Sequence, residues 1–376
     1  MAFGDVILEQ KRVIMAESLF LVHALYRENT EVVNFMVITE YKAVDEKATP
    51  AITVLLCVYN NENWLMDALN SVLAQTFIDF EFIVINDGST DGSLDILEKF
   101  METDSRIRLF SKPNMGIADS LNLGIMKARG KWLARIDADD ICDPDRLNKQ
   151  YKLAESSNEV VLVGSYCMEI DELSRPGKVY RCPIVDNKLK YNLIFGKSFF
   201  AHSSAFILIA AIKNVGGYRA RVPSCDDHDL WLRLVPHGLF CCVSEPLIQY
   251  RRHKSQYSHL ESGKRQRIEH ILTLVAFHVI ERGGEDPLSY KKDEFLKFYL
   301  WVESNLLASN YFSYLYFVAS LKKQLTEFKI SYADVRGILV NLLSNFPYTL
   351  KLLKGYFLGV RFPIRLAKKW VNERYV

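Results

Sequence analysis

Trp132-Leu-Ala-Arg-Ile-Asp-Ala-Asp-Asp140 is an apolar run that ends abruptly in three carboxylates. The apolar residues predict a short buried strand, so the carboxylates lie where that strand leaves its sheet. In an open α/β sheet, ligands bind at this carboxyl edge. Carboxylate oxygens suit Mg²⁺ or Mn²⁺, so Asp137 and Asp139 are candidate ligands of one divalent ion. The alternative is a plain polar turn, with Asp143-Pro144 starting the next helix.

The sequence around this stretch alternates between strand-like and helix-like patterns. Ile52–Val58 is apolar on both faces apart from Thr53, as a strand of a parallel sheet requires. Asn63–Gln75 repeats apolar residues along one helical face. The alternation continues with strands at Phe80–Ile85, Ile107–Phe110 and Lys131–Ile136, and with helices at Asp91–Met101 and Ile117–Ala128. It predicts the α/β class, with a doubly wound, mostly parallel sheet flanked by helices.

Length and composition are those of a globular protein. The chain has 376 residues, 49% hydrophobic and 24% charged, enough for one large α/β domain and a second unit. The formal net charge of +2 gives no sign of a nucleic-acid partner, and we expect none. Seven scattered cysteines predict neither a disulfide framework nor a zinc site. Because the sequence shows no signal-peptide pattern and no spanning apolar run, we expect a cytoplasmic location.

Polar residues also follow the first two predicted strands. Tyr59 comes after the first strand and Asp87 ends the second, so both should reach the same sheet edge as Asp137. A tyrosine ring can stack on a base, and a carboxylate can accept a hydrogen bond from the base. Alternatively, Asp87-Gly88 is only a turn signal and Asp91 only caps the next helix.

Five segments in this order resemble the family 2 glycosyltransferases, which have the Rossmann-like GT-A fold. They are VLLCVYNNENWLMDALNSVLAQTF, FEFIVINDGSTDGS, PNMGIADSLNLGIMKARGKWLARIDADDICDPDRLNKQ, CDDHDLWLRL and YRRHKSQYS. The resemblance predicts a GT-A domain over residues 50–258. It implies transfer from a nucleotide-sugar donor, most often a UDP-sugar, to a hydroxyl acceptor. It is much less specific for any particular sugar.

The resemblance also implies roles for single residues. Asp137 and Asp139 form the family's metal-binding DxD, with Asp139 the stronger candidate for direct contact with Mn²⁺ or Mg²⁺. His253 matches a position that can approach the metal or the diphosphate, and a surface residue beside Arg251 and Arg252 is the alternative. Arg135 could bind the nucleotide or be a structural counter-ion of the acids. The expected nucleotide-binding residues are Cys57, Tyr59, Asp87, Asn114, Arg135 and Asp137.

Cys225-Asp-Asp-His-Asp-Leu-Trp-Leu-Arg233 carries a second group of acids. Sugar transfer to an alcohol requires a carboxylate that takes up the hydroxyl proton. The family usually has Glu-Asp here with the Asp as base, which implies Asp227 as the base and the shorter Asp226 as acceptor-side support. His202 matches a segment near the acceptor, where a structural histidine is the alternative. The acids could also be a helix N-terminal cluster favoured by the helix dipole.

The two flanks carry less chemistry. Residues 1–49 are predicted to form a mainly helical extension, and residues 259–376 a helical C-terminal region. Residues 346–376 place apolar side chains among lysines and arginines, a pattern typical of helices on anionic membranes. Such a helix would place the protein at the inner face of the cell membrane, near a lipid-linked acceptor. Alternatively, the helix packs on the catalytic domain with its basic face in water.

The resemblance, together with these acidic clusters, implies a metal-dependent glycosyltransferase of polysaccharide or glycolipid synthesis, and by analogy with most of the family we expect it to be inverting. A sugar nucleotidyltransferase usually carries a Gly-rich, basic loop after the first strand, where this chain has Tyr59-Asn-Asn-Glu-Asn63. A nucleotide-sugar-binding protein without turnover is the third hypothesis, although every expected acid is present.

Overall fold

The computed structural model describes residues 38–40, 49–196, 199–254, 256, 263–308 and 362–374. The chain divides into two units, Met1–Val37 and Ile38–Val376. The first unit, and with it nearly all of the predicted extension over residues 1–49, lies outside the described residues. The predicted domain boundaries therefore stay a prediction.

The first half of the sheet is parallel, as the alternating pattern predicts. Its elements are β1 (Thr39–Glu40), β2 (Ile52–Val58), α1 (Leu65–Leu73), β3 (Phe80–Asp87), α2 (Ser93–Thr103), β4 (Ile107–Lys112), α3 (Ile117–Lys127) and β5 (Trp132–Asp137). Strands β2, β3, β4 and β5 pair in the order β4-β3-β2-β5, and a short edge strand, β1, pairs antiparallel with β4.

The second half of the sheet is mixed. Its elements are β6 (Ile141–Cys142), α4 (Arg146–Ala154), β7 (Val160–Ile170), β8 (Pro176–Tyr180), α5 (Asp186–Ile194), β9 (Phe206–Leu208), α6 (Ile209–Asn214), α7 (Asp226–Leu234) and β10 (Leu239–Arg251). Strand β9 runs antiparallel to both β5 and β7, and β7 and β10 are parallel. Strand β6 pairs antiparallel with β10, and β8 pairs antiparallel with β7. The prediction of a mostly parallel sheet therefore holds as far as β5, where the strand direction reverses.

Burial explains why these residues form these elements. Every residue of β3 is buried, and in β2 only Cys57 is partly exposed, so both strands are covered by helices on their two faces. Helix α1 buries Leu65, Ala68, Leu69 and Val72, which lie three or four residues apart on one helical face. Each fully buried leucine stabilises the fold by about 1.5–3 kcal/mol.

Helices α8 (Gly263–Ile280), α9 (Lys292–Ala308) and α10 (residues 362–374) form the described part of the C-terminal region. The ring of Trp370 in α10 lies 5.0 Å from that of Phe298 and 4.9 Å from that of Trp301, both in α9. Phe362 and Leu366 are buried as well. The apolar face of α10 is therefore packed on protein, which supports the second interpretation of the basic end. Among the described residues, every helix is too short or too polar to cross a bilayer.

Candidate active site

The carboxyl ends of β2, β3 and β5 meet at one edge of the sheet. In the strand register Cys57 lies beside Asp137, and Asp87 lies beside Lys112. Burial raises the pKa of the Cys57 thiol to about 12, so the Cys57 side chain at this edge is uncharged. The expected convergence of these strand ends is present.

Asp87 binds the loop that follows β4. Its carboxylate is 4% exposed, forms an ion pair with the buried Lys112 and accepts hydrogen bonds from the amides of Met115 and Gly116, each at 2.9 Å. Gly88 has a φ of +70°, and a Cβ there would lie 2.6 Å from the amide nitrogen of Asn114. A side chain at position 88 would therefore displace this loop.

Two residues expected to contact the nucleotide, Tyr59 and Asn114, are exposed at the same edge of the sheet. The side chain of Tyr59 is 53% exposed, and Asn114 is exposed on the loop that Asp87 binds. Asp91 accepts hydrogen bonds from the amides of Ser93, the first residue of α2, and of Glu62. Base stacking on Tyr59 and base recognition by Asp87 stay predictions, whereas Asp91 ties the start of α2 to the β2–α1 loop.

Asp137, Asp139 and Asp140 form the strand-end cluster. One oxygen from each lies within 4.8 Å of the others, which makes this the one group of acids, histidines or cysteines in the described residues that could hold a metal ion. Asp137 forms a two-bond ion pair with Arg135, and the Nε2 atom of His253 lies 2.8 Å from Asp139 Oδ2. Oxygen donors at this spacing fit a hard divalent cation.

The Ser203 hydroxyl lies between two acids of the strand-end cluster. It is 2.8 Å from Asp137 Oδ2, contacts Asp140 Oδ2 and accepts a hydrogen bond of 3.0 Å from the Asp137 amide. Asp140 is fully buried and accepts a hydrogen bond of 2.9 Å from the Arg251 amide. Burial first, and then the charges of Asp139 and Asp137, raise the pKa of Asp140 well above its ordinary value.

The end of β10 also orients the strand-end cluster. The buried guanidinium of Arg251 donates to the carbonyl oxygen of Asp139 at 2.9 Å and to Asp67 at 3.1 Å. The ring of His253 lies 4.1 Å from that of Trp64. His253 is therefore a buried neighbour of the acids and not the surface residue that was its alternative.

Asp226 and Asp227, the helix-start cluster, begin α7. Asp226 is 7% exposed, and its Oδ2 atom has no hydrogen-bond partner among the described residues. Burial raises the pKa of both carboxyl groups, and the charges of Arg135 and Asp137 act on both of them. Ser203, which contacts Asp137 and Asp140, is preceded in the chain by His202, whose ring lies 5.7 Å from that of Trp231 in α7. The two clusters, some ninety residues apart in sequence, therefore lie at one site. Asp229 pairs with Arg233 at 2.7 Å.

His202 lies beside the helix-start cluster. Its Nε2 atom is 2.8 Å from the Tyr218 hydroxyl, and its ring meets Trp231 edge-on at 5.7 Å. Burial first, and then the charge of Arg135, lower the pKa of His202 well below its ordinary value, so the ring is neutral. Burial, together with the charge of Asp226, raises the pKa of Tyr218. His202 has a clear structural partner, and its acceptor-side role stays a prediction.

Sequence reasoning missed Lys112, Ser203, Tyr218 and Arg251 in this site. Each acts on an acid or a histidine that lies 16 to 112 residues away in sequence, or at the end of a neighbouring strand. Lys112 alone carried a signal, because a lysine that ends a strand with buried apolar positions predicts a buried counter-ion.

Known proteins share this sequence pattern. A sequence profile described as glycosyl transferase family 2 matches residues 53–215. An uncharacterised glycosyltransferase of Haemophilus influenzae is 29% identical over 250 residues, which are 61% of this chain and 77% of the relative. The putative glycosyltransferase EpsE of Bacillus subtilis is 32% identical over 193 residues, 50% of this chain and 68% of EpsE. The chain belongs to glycosyl transferase family 2.

A solved structure shares the fold of this family 2 glycosyltransferase. Residues 1–349 of Staphylococcus aureus TarS, crystallised in complex with UDP-GlcNAc, superpose with a TM-score of 0.51 at 16% sequence identity, covering 61% of this chain and 66% of that segment. The predicted GT-A architecture is therefore confirmed. Membership of the family makes the protein a glycosyltransferase enzyme and disfavours the nucleotidyltransferase hypothesis.

Proposed function

We propose that this enzyme transfers a sugar from a UDP-sugar to an acceptor hydroxyl, with a divalent cation and with inversion at the anomeric carbon. The observation that carries the proposal is that the strand-end and helix-start clusters lie at one site, linked by the contacts of Ser203 with Asp137 and Asp140 and of His202 with Trp231 in α7. An in-line displacement needs one group at the departing diphosphate and another at the incoming hydroxyl. Two converging acidic clusters with different environments supply such a pair.

On the donor side, Asp139 and Asp137 would hold Mn²⁺ or Mg²⁺, with His253 beside them. A bound divalent cation would stabilise the negative charge that develops on the departing diphosphate. Tyr59 and Asp87 would bind the base. Cys57, Asn114 and Arg135 would line the nucleotide site, with Arg135 also fixing the orientation of Asp137.

On the acceptor side, Asp227 would take the proton from the acceptor hydroxyl as the new bond forms. Its raised pKa makes it a stronger base than an ordinary aspartate and therefore a better proton acceptor near neutral pH. Asp226 and His202 would orient the acceptor. Attack from this side, opposite the departing diphosphate, would invert the anomeric configuration.

A donor screen tests the proposal. Nucleotide release is measured from several UDP-, GDP- and dTDP-sugars, with and without Mn²⁺ or Mg²⁺, over a panel of sugar and lipid-linked acceptors. UDP-GlcNAc is tested first, because TarS was crystallised with it. We expect release of UDP only when the cation is present. Pyrophosphate release from a nucleoside triphosphate and a sugar phosphate would indicate a nucleotidyltransferase, and tight UDP binding without turnover on any acceptor would indicate a binding protein.

We further propose a membrane contact through the basic face of α10. Arg365, Lys368 and Lys369 are exposed while the apolar face of this helix is covered, so attraction to anionic lipid would be electrostatic and would place the enzyme at the inner face of the cell membrane. Co-sedimentation with anionic liposomes should exceed that with neutral liposomes and should fall in the triple variant Arg365→Glu, Lys368→Glu, Lys369→Glu. Equal binding of variant and parent would contradict the proposal.

A further inference from the structure

Helix α8 lies beyond the residues that match the family profile, yet it contacts the segment from which α7 begins. The Oε2 atom of Glu269 accepts a hydrogen bond of 2.8 Å from the backbone amide of Ser224. One turn away on the same helix, the Cys225 thiol donates to the carbonyl oxygen of Gln266 at 3.4 Å. Ser224 and Cys225 immediately precede the helix-start cluster, so α8 fixes the backbone that leads into it.

The face of α8 that meets α7 is polar at regular spacing. Arg265, Glu269 and Thr273 lie four residues apart and therefore on one side of the helix. Arg265 Nε donates to Glu269 Oε1 at 2.7 Å, and the Thr273 hydroxyl lies 3.0 Å from Nδ1 of His228. The contact between the two helices thus includes directed hydrogen bonds at the start of α7.

Stability alone does not account for a carboxylate at position 269. Glu269 is 2% exposed, and removing a carboxylate from water costs several kcal/mol that an ion pair often fails to offset. Burial raises the pKa of this carboxyl group even though Arg265 and Ser224 donate to it. An apolar side chain would pack between the helices at lower cost. What the carboxylate adds is an oxygen atom at a defined point beside the Ser224 amide.

We propose that Glu269 is a positioning residue for Asp226 and Asp227, which makes helix α8 part of the catalytic unit. The inference rests on the proposed function, because it assigns Glu269 to the orientation of the acid that accepts the acceptor proton. The geometry of the oxygen matters more than its charge. A displacement of about 1 Å at the base costs up to about 100-fold in rate.

The test compares two single changes at position 269. Glu269→Gln keeps the chain length and an oxygen for the Ser224 amide, while the partly exposed Arg265 can turn to water. Glu269→Asp keeps the charge but withdraws the carboxylate. We expect Glu269→Gln to retain kcat within about 5-fold and Glu269→Asp to lower it 10- to 100-fold. The KM for the donor should not change in either variant.

Glu81 offers matched controls. It is 3% exposed, paired with Arg108 and Arg129 at 2.8 Å each, and lies near the start of β3, at the opposite edge of the sheet. Glu81→Gln and Glu81→Asp should lower the Tm and leave kcat unchanged. If Glu269→Asp is more active than Glu269→Gln, or if both match the parent, the positioning role is wrong.

Hydrogen exchange separates this inference from the proposed function. Amides in a peptide covering residues 222–228 should exchange faster in Glu269→Asp than in the parent and in Glu269→Gln, and should not change in the Glu81 variants. This pattern supports the positioning of the segment even if the donor screen detects no turnover. Unchanged exchange in Glu269→Asp would overturn the inference whatever the activity.

Discussion

The strand-end and helix-start clusters consist of the same residue type in different surroundings. In the strand-end cluster, Asp137 is paired with Arg135, Asp139 lies beside His253, and Asp140, whose pKa is raised by burial, accepts a hydrogen bond from the Arg251 amide. In the helix-start cluster, one oxygen of Asp226 has no hydrogen-bond partner among the described residues, and burial raises the pKa of Asp226 and Asp227.

The surroundings of each aspartate decide what it can do. Asp137 and Asp139 present carboxylate oxygens at a spacing that suits a divalent cation. Carboxylates that are buried with little compensation hold a proton more readily, as a general base requires. The first cluster is therefore suited to cation binding and the second to proton transfer, although both began in the sequence as short acidic motifs.

The largest expected effect comes from Asp227→Asn. Loss of the general base should lower kcat by about 1000-fold, while the affinity for UDP in the presence of Mn²⁺ stays unchanged. Kinetics and calorimetry on the same preparation check both parts. Asp186→Asn, the same change at the start of α5, is the control and should leave kcat unaltered. If Asp227→Asn keeps more than a tenth of the activity, Asp227 is not the base.

The next largest expected effect is on metal-dependent UDP binding instead of on kcat. Asp139→Asn should weaken Mn²⁺-dependent UDP binding at least about 100-fold, because a cation ligand is lost. UDP binding measured in EDTA should be equal in variant and parent. An Asp139→Asn variant that still binds Mn²⁺ as tightly as the parent would contradict the assignment of the strand-end cluster.

A smaller effect is expected at Ser203. Its hydroxyl links Asp137 and Asp140, so Ser203→Ala should loosen the strand-end cluster and weaken Mn²⁺ affinity about 10-fold. Ser204, the next residue of the same turn, bonds to the carbonyl oxygen of Ala201 and not to the acids. Ser204→Ala is the matched control. Equal Mn²⁺ affinity of the two variants would show that the hydroxyl of Ser203 does not organise the cluster.

The smallest expected effect is on thermal stability without metal. Here the change in Tm should have opposite signs for a variant in each of the two clusters. The folded-state pKa of Asp226 lies above its unfolded value of about 3.9, so its contribution to stability is lost as the pH rises through the folded pKa. Asp226→Asn should therefore raise the Tm at pH 8 by about 2 °C or more. The gain should vanish near pH 4.

The strand-end cluster provides the comparison for that measurement. Asp137→Asn removes the partner of the buried Arg135 and should lower the Tm at pH 8, also in EDTA. Shifts of the same sign in the two variants would mean that the clusters do not differ in the way described.

The sequence predicts the first half of the fold well because those strands are buried on both faces. Ile52–Val58 is found with the predicted bounds, and Phe80–Ile85 extends by two residues to Asp87. The reversal of the sheet at β9 has no comparable signal, since three apolar residues, Phe206–Leu208, do not distinguish a strand from any other buried segment. Hydrophobic periodicity thus predicts long buried elements but does not identify short ones.

For the candidate site, the acids were predictable and their partners were not. Asp137, Asp139 and Asp227 stand in motifs that can be read locally. Ser203 and Arg251 reach the strand-end cluster from 63 and 112 residues away, and one sequence holds no information on such a pairing. Asp226, which departs from the family's usual Glu-Asp pattern, can be recognised in the sequence. Only the fold shows that its Oδ2 atom has no hydrogen-bond partner among the described residues.

The ion pair and hydrogen bonds between Asp87 and the loop after β4 have a thermodynamic consequence. With Lys112 and the amides of Met115 and Gly116 already bound, residues 113–116 are ordered when the protein folds and need not be ordered when a nucleotide arrives. Fixing the backbone of a free loop costs about 1–2 kcal/mol per residue. The loop of residues 113–116 is thus preorganised. The favourable enthalpy of each new contact with it is offset by little loss of chain entropy.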